Sequence, residues 1–221
     1  MNRRLLIITI GATSLIVFAV AVLSVRLTGA PESKTIQQSV ARKDGAMLVR
    51  FHSPVIGRFD APITIVEFFD PSCEGCRAFY PHVKKLLKKH PDDVRLVLRY
   101  VLLHKGSEPV VRMLEAARKQ ELFLPVLEAV LNAQPEWHDD PNVAAAWSAA
   151  ARAGLNEAKA RVDMQDGAVS AIIEADAKDV NAVGIKGTPT FFVEGSRLDK
   201  LTPQELSNAV GEAVGRHKRQ Q

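Results

Sequence analysis

The sequence contains only two cysteines among 221 residues, Cys73 and Cys76. So few cysteines exclude the disulfide-dense scaffolds of small secreted domains. A structural zinc site needs four ligands, and the six histidines show no paired spacing that would complete one. The residue after the second cysteine is Arg77, so the histidine of a covalent haem site is also missing. Neither a structural zinc site nor a haem attachment is predicted from this pair, and redox chemistry is favoured over two inert thiols because polar residues surround it.

Strong net charge is also lacking. The formal charge is only +4, and much of the basic excess lies at the chain ends, in Arg3, Arg4, Arg26, Lys218 and Arg219. Nucleic-acid binding is therefore not predicted. With 221 residues of which 47% are hydrophobic, the chain can form one domain with a sizeable core.

Residues 5–25 contain no charged side chain. As a helix this run would span roughly 30 Å, about the thickness of the hydrocarbon core of a membrane. Arg3 and Arg4 precede it and no dense basic cluster follows, which places the N-terminus inside the cytoplasm and the rest outside. We interpret residues 1–27 as a signal anchor in the inner membrane.

A cleaved signal peptide is the competing interpretation, since Ala19-Val20-Ala21 could form a cleavage site. Residues 28–45 are polar and are interpreted as a linker. Under both interpretations the remaining chain faces the periplasm, a compartment in which disulfides persist.

Hydrophobic patterning predicts a strand, a helix and a strand in succession. Residues 63–69 are mainly β-branched and aromatic, which is typical of a buried strand. Apolar positions at helical spacing over residues 74–90 predict a helix, and residues 94–103 a further strand. This order indicates a parallel pair joined by a crossover helix. Before it, residues 46–53 are expected to form a first strand and residues 52–62 a turn-rich connection.

The second half of the chain changes character. Residues 108–162 are rich in Ala, Leu and Glu and predict three or four short helices. A helix over residues 167–183 leads to a strand at 187–193, followed by a hairpin turn to a short strand at Leu198. The final helix is predicted to start after Thr202, which is placed to cap it.

Cys73 lies where the first strand passes into the helix. The unpaired N–H groups and positive dipole end of that helix would stabilise a thiolate there, so Cys73 is the predicted nucleophile. Cys76 lies one helical turn later and nearer the core, where it could attack a mixed disulfide and release the partner.

Three motifs and their order resemble those of the DsbA-like family of thioredoxin-fold thiol:disulfide oxidoreductases: EFF at 67–69, CEGC at 73–76 and GTPT at 187–190. The resemblance covers most of the chain from about Ala46. It implies an α/β thioredoxin fold, a central mixed sheet flanked by helices, with an inserted all-helical subdomain. It also implies a cis Pro189 whose loop exposes backbone for the substrate, with Thr188 beside Cys73.

The expected domain boundaries follow from this resemblance. Residues 46–107 would form the first part of the thioredoxin fold, residues 108–165 the helical insertion and residues 166–221 the second part. The implied partners are protein thiol or disulfide substrates and a membrane redox protein, with no dissociable cofactor. The direction of electron flow stays open.

Glu67 is a carboxylate inside a hydrophobic strand, which is costly to bury unless it is protonated or paired. The resemblance implies a buried acid that exchanges a proton as Cys76 reacts. The alternative is a glutamate on an exposed strand face.

The sequence departs from the strong oxidants of the family in the pair between the cysteines, which is Glu74 and Gly75 instead of Pro-His. We expect the negative charge of Glu74, with that of Asp70, to raise the pKa of Cys73. A less stable thiolate would make the disulfide less oxidising.

Two other functions remain open. The two thiols could hold Cu(I) in a metal-handling protein, because copper(I) prefers soft ligands. The chain could also be a non-catalytic interaction module in which the pair forms a structural disulfide.

Overall fold

The computed structural model describes residues 47–221. The predicted membrane or signal segment and the linker, residues 1–27 and 28–45, lie outside these residues. Between residues 47 and 221 no helix is long and apolar enough to cross a membrane.

A five-stranded mixed sheet forms the centre of the fold. Its strands are β1 (Val55–Ile56), β2 (Ile63–Phe69), β3 (Val94–Tyr100), β4 (Thr190–Val193) and β5 (Ser196–Arg197). They lie in the order β1-β3-β2-β4-β5; β2 and β3 are parallel and the other neighbours antiparallel. The predicted bounds of β2 and its parallel pairing are confirmed. Because β2 has partners on both sides, it is the central strand of the sheet.

Seven α-helices and one short 3₁₀ helix connect and cover the strands within residues 47–221. They are α1 (Glu74–Lys89), α2 (Ser107–Lys119), α3 (Phe123–Asn132), the 3₁₀ helix Gln134–Glu136, α4 (Ala144–Arg152), α5 (Glu157–Asp163), α6 (Gly167–Val183) and α7 (Pro203–Lys218). The predicted succession of short helices after β3 is confirmed. Thr202 caps α7 as predicted, since its hydroxyl accepts a hydrogen bond from the Glu205 N–H at 3.1 Å.

The two faces of the sheet have separate hydrophobic cores. On one face, Ile65 and Phe69 of β2 pack with buried residues of α1, α2, α3, α4 and α7. On the other, Val66 and Phe68 pack with a smaller cluster that includes Ile185. Because side chains alternate along a strand, Glu67 lies on the same face as Ile65 and Phe69. The fold therefore places this glutamate in the larger core, below the start of α1.

The prediction of a strand at residues 46–53 is wrong. Residues 47–48 are helical and residues 51–53 form a turn, while the first strand, β1, lies inside the segment predicted to be turn-rich. The backbone carbonyls of Met47 and Leu48 do not pair with another strand; they accept hydrogen bonds from the guanidinium of Arg99. Hydrogen bonds donated by the Arg99 side chain replace those of a strand ladder at these two carbonyls.

Arg99 is completely buried on β3, where its charge is neutralised by α6. Its Nη2 lies 2.7 Å from Asp176 and 2.6 Å from Asp179. Asp179 also pairs with Arg50 at 2.7 Å, and these arginines hold its pKa below its ordinary value, chiefly through the hydrogen bond from Arg50. The network attaches the segment before β1 to α6.

Candidate active site

Cys73 is the N-cap residue of α1, with extended backbone angles of φ −76° and ψ 121°. Its N–H donates to the Asp70 carbonyl at 3.0 Å, and its carbonyl accepts the first helical hydrogen bond, from Arg77, at 3.2 Å. The partly exposed sulfur lies 3.2 Å from the Thr188 carbonyl oxygen, to which its protonated form donates. Strand-to-helix geometry therefore puts this sulfur at the surface, in front of the helix N–H groups, as predicted.

Cys76 lies one turn into α1 and is completely buried. Its sulfur accepts a weak hydrogen bond from the Asp70 N–H at 3.5 Å. Of the two sulfurs only that of Cys73 is accessible, so a bulky partner can meet only Cys73.

The two cysteines have opposite acidities. A hydrogen bond from the Cys76 thiol, helped by the backbone N–H groups of Cys76 and Gly75, lowers the pKa of Cys73 from 9.0 to about 5 against the effect of burial. Burial, then the hydrogen bond to Cys73 and the charge of Glu67, raise the pKa of Cys76. At neutral pH the accessible sulfur is a thiolate and the buried one a thiol.

The peptide bond between Thr188 and Pro189 is cis, which confirms the prediction. This loop lies directly against the residue between the cysteines. A Cβ atom on Gly75 would be only 3.0 Å from the Pro189 Cδ and 3.5 Å from the Cys73 sulfur. Glycine at position 75 therefore permits the close approach of two backbones, a packing role that composition alone did not indicate.

An open pocket of about 310 Å³ begins beside Pro189. It is lined by Pro189, Thr190, Phe191, Arg197, Leu198, Asp199 and Leu201. The pocket thus shares Pro189 with the cis-proline loop and reaches the residues that follow β5.

Glu67 is 1% exposed, and its Oε1 has no hydrogen-bond partner among the described residues. Burial, and secondly the negative charge of Cys73, raise its pKa well above 4.5. The alternative of an exposed strand face is wrong, because β2 is central and both faces of the sheet are covered. Burial thus favours the neutral, protonated form of the Glu67 carboxyl over its charged form.

Asp70 is also completely buried, yet its carboxylate is fully hydrogen-bonded. Oδ1 accepts from the Ser72 N–H at 2.9 Å and the Ser107 hydroxyl at 2.7 Å. Oδ2 accepts from the Leu103 N–H at 2.9 Å and lies 2.8 Å from Nδ1 of His104. Asp70 thus fixes the loop between β3 and α2 to the cysteine loop.

The structure gives no support to the expectation that Asp70 and Glu74 raise the pKa of Cys73: hydrogen-bond donors lower this pKa to about 5, and the groups that shift it include neither acidic residue. The Asp70 carboxylate is occupied by donors from the loop after β3. The Glu74 side chain is 71% exposed, and its Oε1 lies 3.9 Å from Nε2 of His138. Solvent screens such a charge, whereas the donors around Cys73 act at contact distance.

Sequence reasoning missed Gln134, which is buried in the 3₁₀ helix after α3. Its amide Nε2 donates to the carbonyls of Pro71 and Cys73, at 2.7 and 3.0 Å. Its Oε1 accepts from Arg77 at 2.9 Å. Contact with a loop 61 residues away leaves no local pattern that could have revealed it.

Within residues 47–221, no group of three or more His, Cys, Asp or Glu side chains is arranged to hold a metal ion. The reactive groups that the site brings together are the Cys73 sulfur, the Cys76 sulfur and the Glu67 carboxyl.

Comparison with solved structures places this fold among thioredoxin-like oxidoreductases. A thioredoxin-like oxidoreductase of Silicibacter pomeroyi DSS-3 is 30% identical, with a TM-score of 0.66 over 74% of this chain and 93% of its own. The alpha-DsbA1 of Wolbachia pipientis shares the fold at 19% identity, with a TM-score of 0.66 over 78% of this chain and 96% of its own. The predicted resemblance to DsbA-like proteins is confirmed.

Fold and site thus define a thioredoxin-fold protein with a cysteine pair at a helix start. The family model described as thioredoxin matches residues 51–212. The chain belongs to the thioredoxin family.

A curated relative carries a different description. The Na(+)/H(+) antiporter NhaA of Herminiimonas arsenicoxydans is 33% identical over 165 residues, which cover 75% of this chain but 26% of the antiporter. The chain therefore spans about a quarter of the length of this relative.

Proposed function

We propose that this protein is a thiol:disulfide oxidoreductase that exchanges disulfides with protein thiols outside the cytoplasm. The observation that carries the proposal is the opposite state of the two cysteines. Cys73 is an accessible thiolate at a helix start, and Cys76 is a buried thiol beside a buried acid. An inert structural disulfide needs neither a stabilised thiolate nor an unpaired carboxyl below it.

In the oxidising direction, a substrate thiolate attacks the Cys73 sulfur of the Cys73–Cys76 disulfide. The bond between the cysteines breaks, a mixed disulfide forms, and Cys76 leaves with the electron pair. Because burial disfavours a Cys76 thiolate, Glu67 donates its proton to that sulfur. Glu67 is thus the proton relay of this step.

A second substrate thiolate then attacks the substrate sulfur of the mixed disulfide. Cys73 leaves as a thiolate, a good leaving group because its pKa is low. Two electrons have passed from the substrate dithiol to the cysteine pair, and the substrate holds a new disulfide. Reduction of a substrate is the same sequence in reverse.

The backbone of the loop at Thr188 and Pro189 is proposed to bind the substrate chain. The Thr188 carbonyl oxygen lies 3.2 Å from the Cys73 sulfur, so a chain bound there passes the reactive sulfur. The pocket beside Pro189 would receive neighbouring substrate side chains.

The stabilised Cys73 thiolate favours the oxidising direction, because it stabilises the reduced pair. With a pKa of about 5, the couple should have a reduction potential between those of thioredoxin and the strongest oxidants, roughly −270 and −120 mV. Renewal of the disulfide needs an electron acceptor, and we propose a membrane redox protein in this role. The periplasm-facing location and attachment through residues 1–27 rest on the sequence.

Trapping of the mixed disulfide tests the function. The Cys76→Ser variant, incubated with a peptide containing a disulfide, should accumulate a covalent adduct at Cys73 that mass spectrometry identifies. Cys73→Ser should give no adduct, and the oxidised native chain should convert a peptide dithiol to its disulfide. Failure of Cys76→Ser to form any adduct, although an alkylating reagent modifies Cys73 readily, would refute the proposal.

A further inference from the structure

Both ends of the Gln134 side-chain amide form hydrogen bonds with residues at the start of α1. Both N–H groups of Nε2 have carbonyl acceptors, those of Pro71 and Cys73, and Oε1 accepts from Arg77. The side chain is 0% exposed, so no water competes for these positions. The 3₁₀ helix thus meets the cysteine loop through a fully paired buried amide.

The Pro71 carbonyl belongs to the peptide group just before Ser72, and the Cys73 carbonyl to the peptide group just after Cys73. The two acceptors therefore lie on either side of the residue pair Ser72-Cys73. The first fixes the turn that leaves β2, and the second is also the first acceptor of α1. Removal of the amide would leave the Cys73 carbonyl with the Arg77 N–H but the Pro71 carbonyl with no donor among the described residues. A buried carbonyl without a donor costs about 1–3 kcal/mol, so the turn at Pro71 relaxes if the amide is removed. The direction of the Cys73 Cα–Cβ bond depends on this turn.

We propose that Gln134 is a positioning residue for the cysteine pair: its amide fixes the carbonyls of Pro71 and Cys73, which holds the Cys73 sulfur in front of the helix N–H groups. No contact joins the amide to the sulfur, so the residue acts through the backbone. This proposal rests on the proposed function in one respect: it assumes that the Cys73–Cys76 pair is reactive.

The test is the variant Gln134→Met in the reduced full-length chain, which keeps the side-chain volume and removes the donors. Thiolate absorbance against pH gives the acid dissociation constant of Cys73. We expect this constant to fall about threefold to tenfold, the range that corresponds to one hydrogen bond. The reason is that a relaxed loop carries the sulfur away from the Cys76 thiol and the helix N–H groups.

Gln120→Met is the matched control. Gln120 also uses both ends of its amide on backbone, at the Asn156 N–H (3.0 Å) and carbonyl (3.3 Å), and belongs to the same run of helices. Its substitution should lower stability and leave the acid dissociation constant of Cys73 unchanged.

An unchanged constant in Gln134→Met, with only stability lowered, would overturn the proposal. If that variant does not fold, Arg77→Lys decides: it keeps the positive charge but removes the Nε donor that orients Gln134, and should lower the constant about twofold. An unchanged constant there would also overturn it. Because the titration needs no substrate, it can succeed in a chain that fails the mixed-disulfide test.

Discussion

Two buried carboxyl groups, three residues apart in the chain, differ in how they are accommodated in the interior: one has an oxygen without a hydrogen-bond donor in residues 47–221, and the other is surrounded by donors. Glu67 lies inside the central strand β2, where its Oε1 has no hydrogen-bond partner among the described residues and its pKa is raised. Asp70 lies just after β2, also buried, where four donors surround its carboxylate. A carboxyl that must change protonation state cannot be held by many fixed donors, because these favour only the charged form. The difference assigns proton transfer to Glu67 and loop structure to Asp70.

The largest expected effect comes from Asp70→Asn, which keeps the shape and removes the charge. The new amide N–H₂ group must face a donor such as the Leu103 N–H or the Ser107 hydroxyl. Loss of these bonds and the exposure of unpaired buried donors should lower the free energy of unfolding by about 3 kcal/mol. Urea unfolding of the reduced chain measures this. A loss below about 1 kcal/mol would show that Asp70 does not hold the loop.

The matched change in β2, Glu67→Gln, should lower the rate of peptide oxidation and leave the stability of the fold nearly unchanged. Replacement of an unpaired buried carboxyl by an amide leaves stability at pH 7 unchanged or slightly higher. Loss of the proton donor should slow peptide oxidation about tenfold to a hundredfold, the lower part of the range for general acid–base catalysis. Stopped-flow mixing of oxidised protein with a peptide dithiol gives the rate. A rate equal to that of the native chain would remove Glu67 from the mechanism.

The pH dependence of stability sharpens the assignment of Glu67. Its folded pKa is raised, so the folded chain binds the proton more tightly than the unfolded chain. Its contribution is therefore complete below the ordinary pKa of 4.5 and is lost as pH rises towards the folded value. Relative to Glu67→Gln, the native reduced chain should lose at most about 1.4 kcal/mol per pH unit above 4.5. Parallel unfolding curves at pH 5 and 7 would contradict a raised pKa.

Local patterns were sufficient for the parts of this molecule that depend on local physics. The bounds of β2, the helix that begins at Cys73 and the cap of α7 all follow from residue spacing. The cis Pro189 followed from the resemblance to a known family. What the sequence did not reveal depends on contacts between distant segments: three of the four donors to Asp70 come from residues 33 to 37 positions away. The incorrect prediction of a strand at residues 46–53 has the same cause. The buried Arg99 on β3 donates hydrogen bonds to the carbonyls of Met47 and Leu48, which lie in this segment.

Those distant contacts also distinguish the two acidic residues beside the cysteines, which residue spacing alone cannot do. A count of nearby charges treats Asp70 and Glu74 alike. In the structure Asp70 is enclosed by donors, and Glu74 is exposed to solvent that screens its charge. The acidity of Cys73 is set by hydrogen-bond donors at its sulfur instead.

The smallest expected effect is therefore that of Glu74→Gln, although this residue is adjacent to the nucleophile. An exposed charge contributes less than about 0.5 kcal/mol, so the Cys73 pKa should stay near 5 and the unfolding free energy unchanged. Titration of the alkylation rate of Cys73 against pH measures this, at low salt where any charge effect is greatest. Cys73→Ser, which removes the reactive group, is the control for the reaction at other sites. A midpoint displaced by a full pH unit would restore Glu74 to the role that its sequence position suggested, and the contrast between fixed donors and exposed charges would fail.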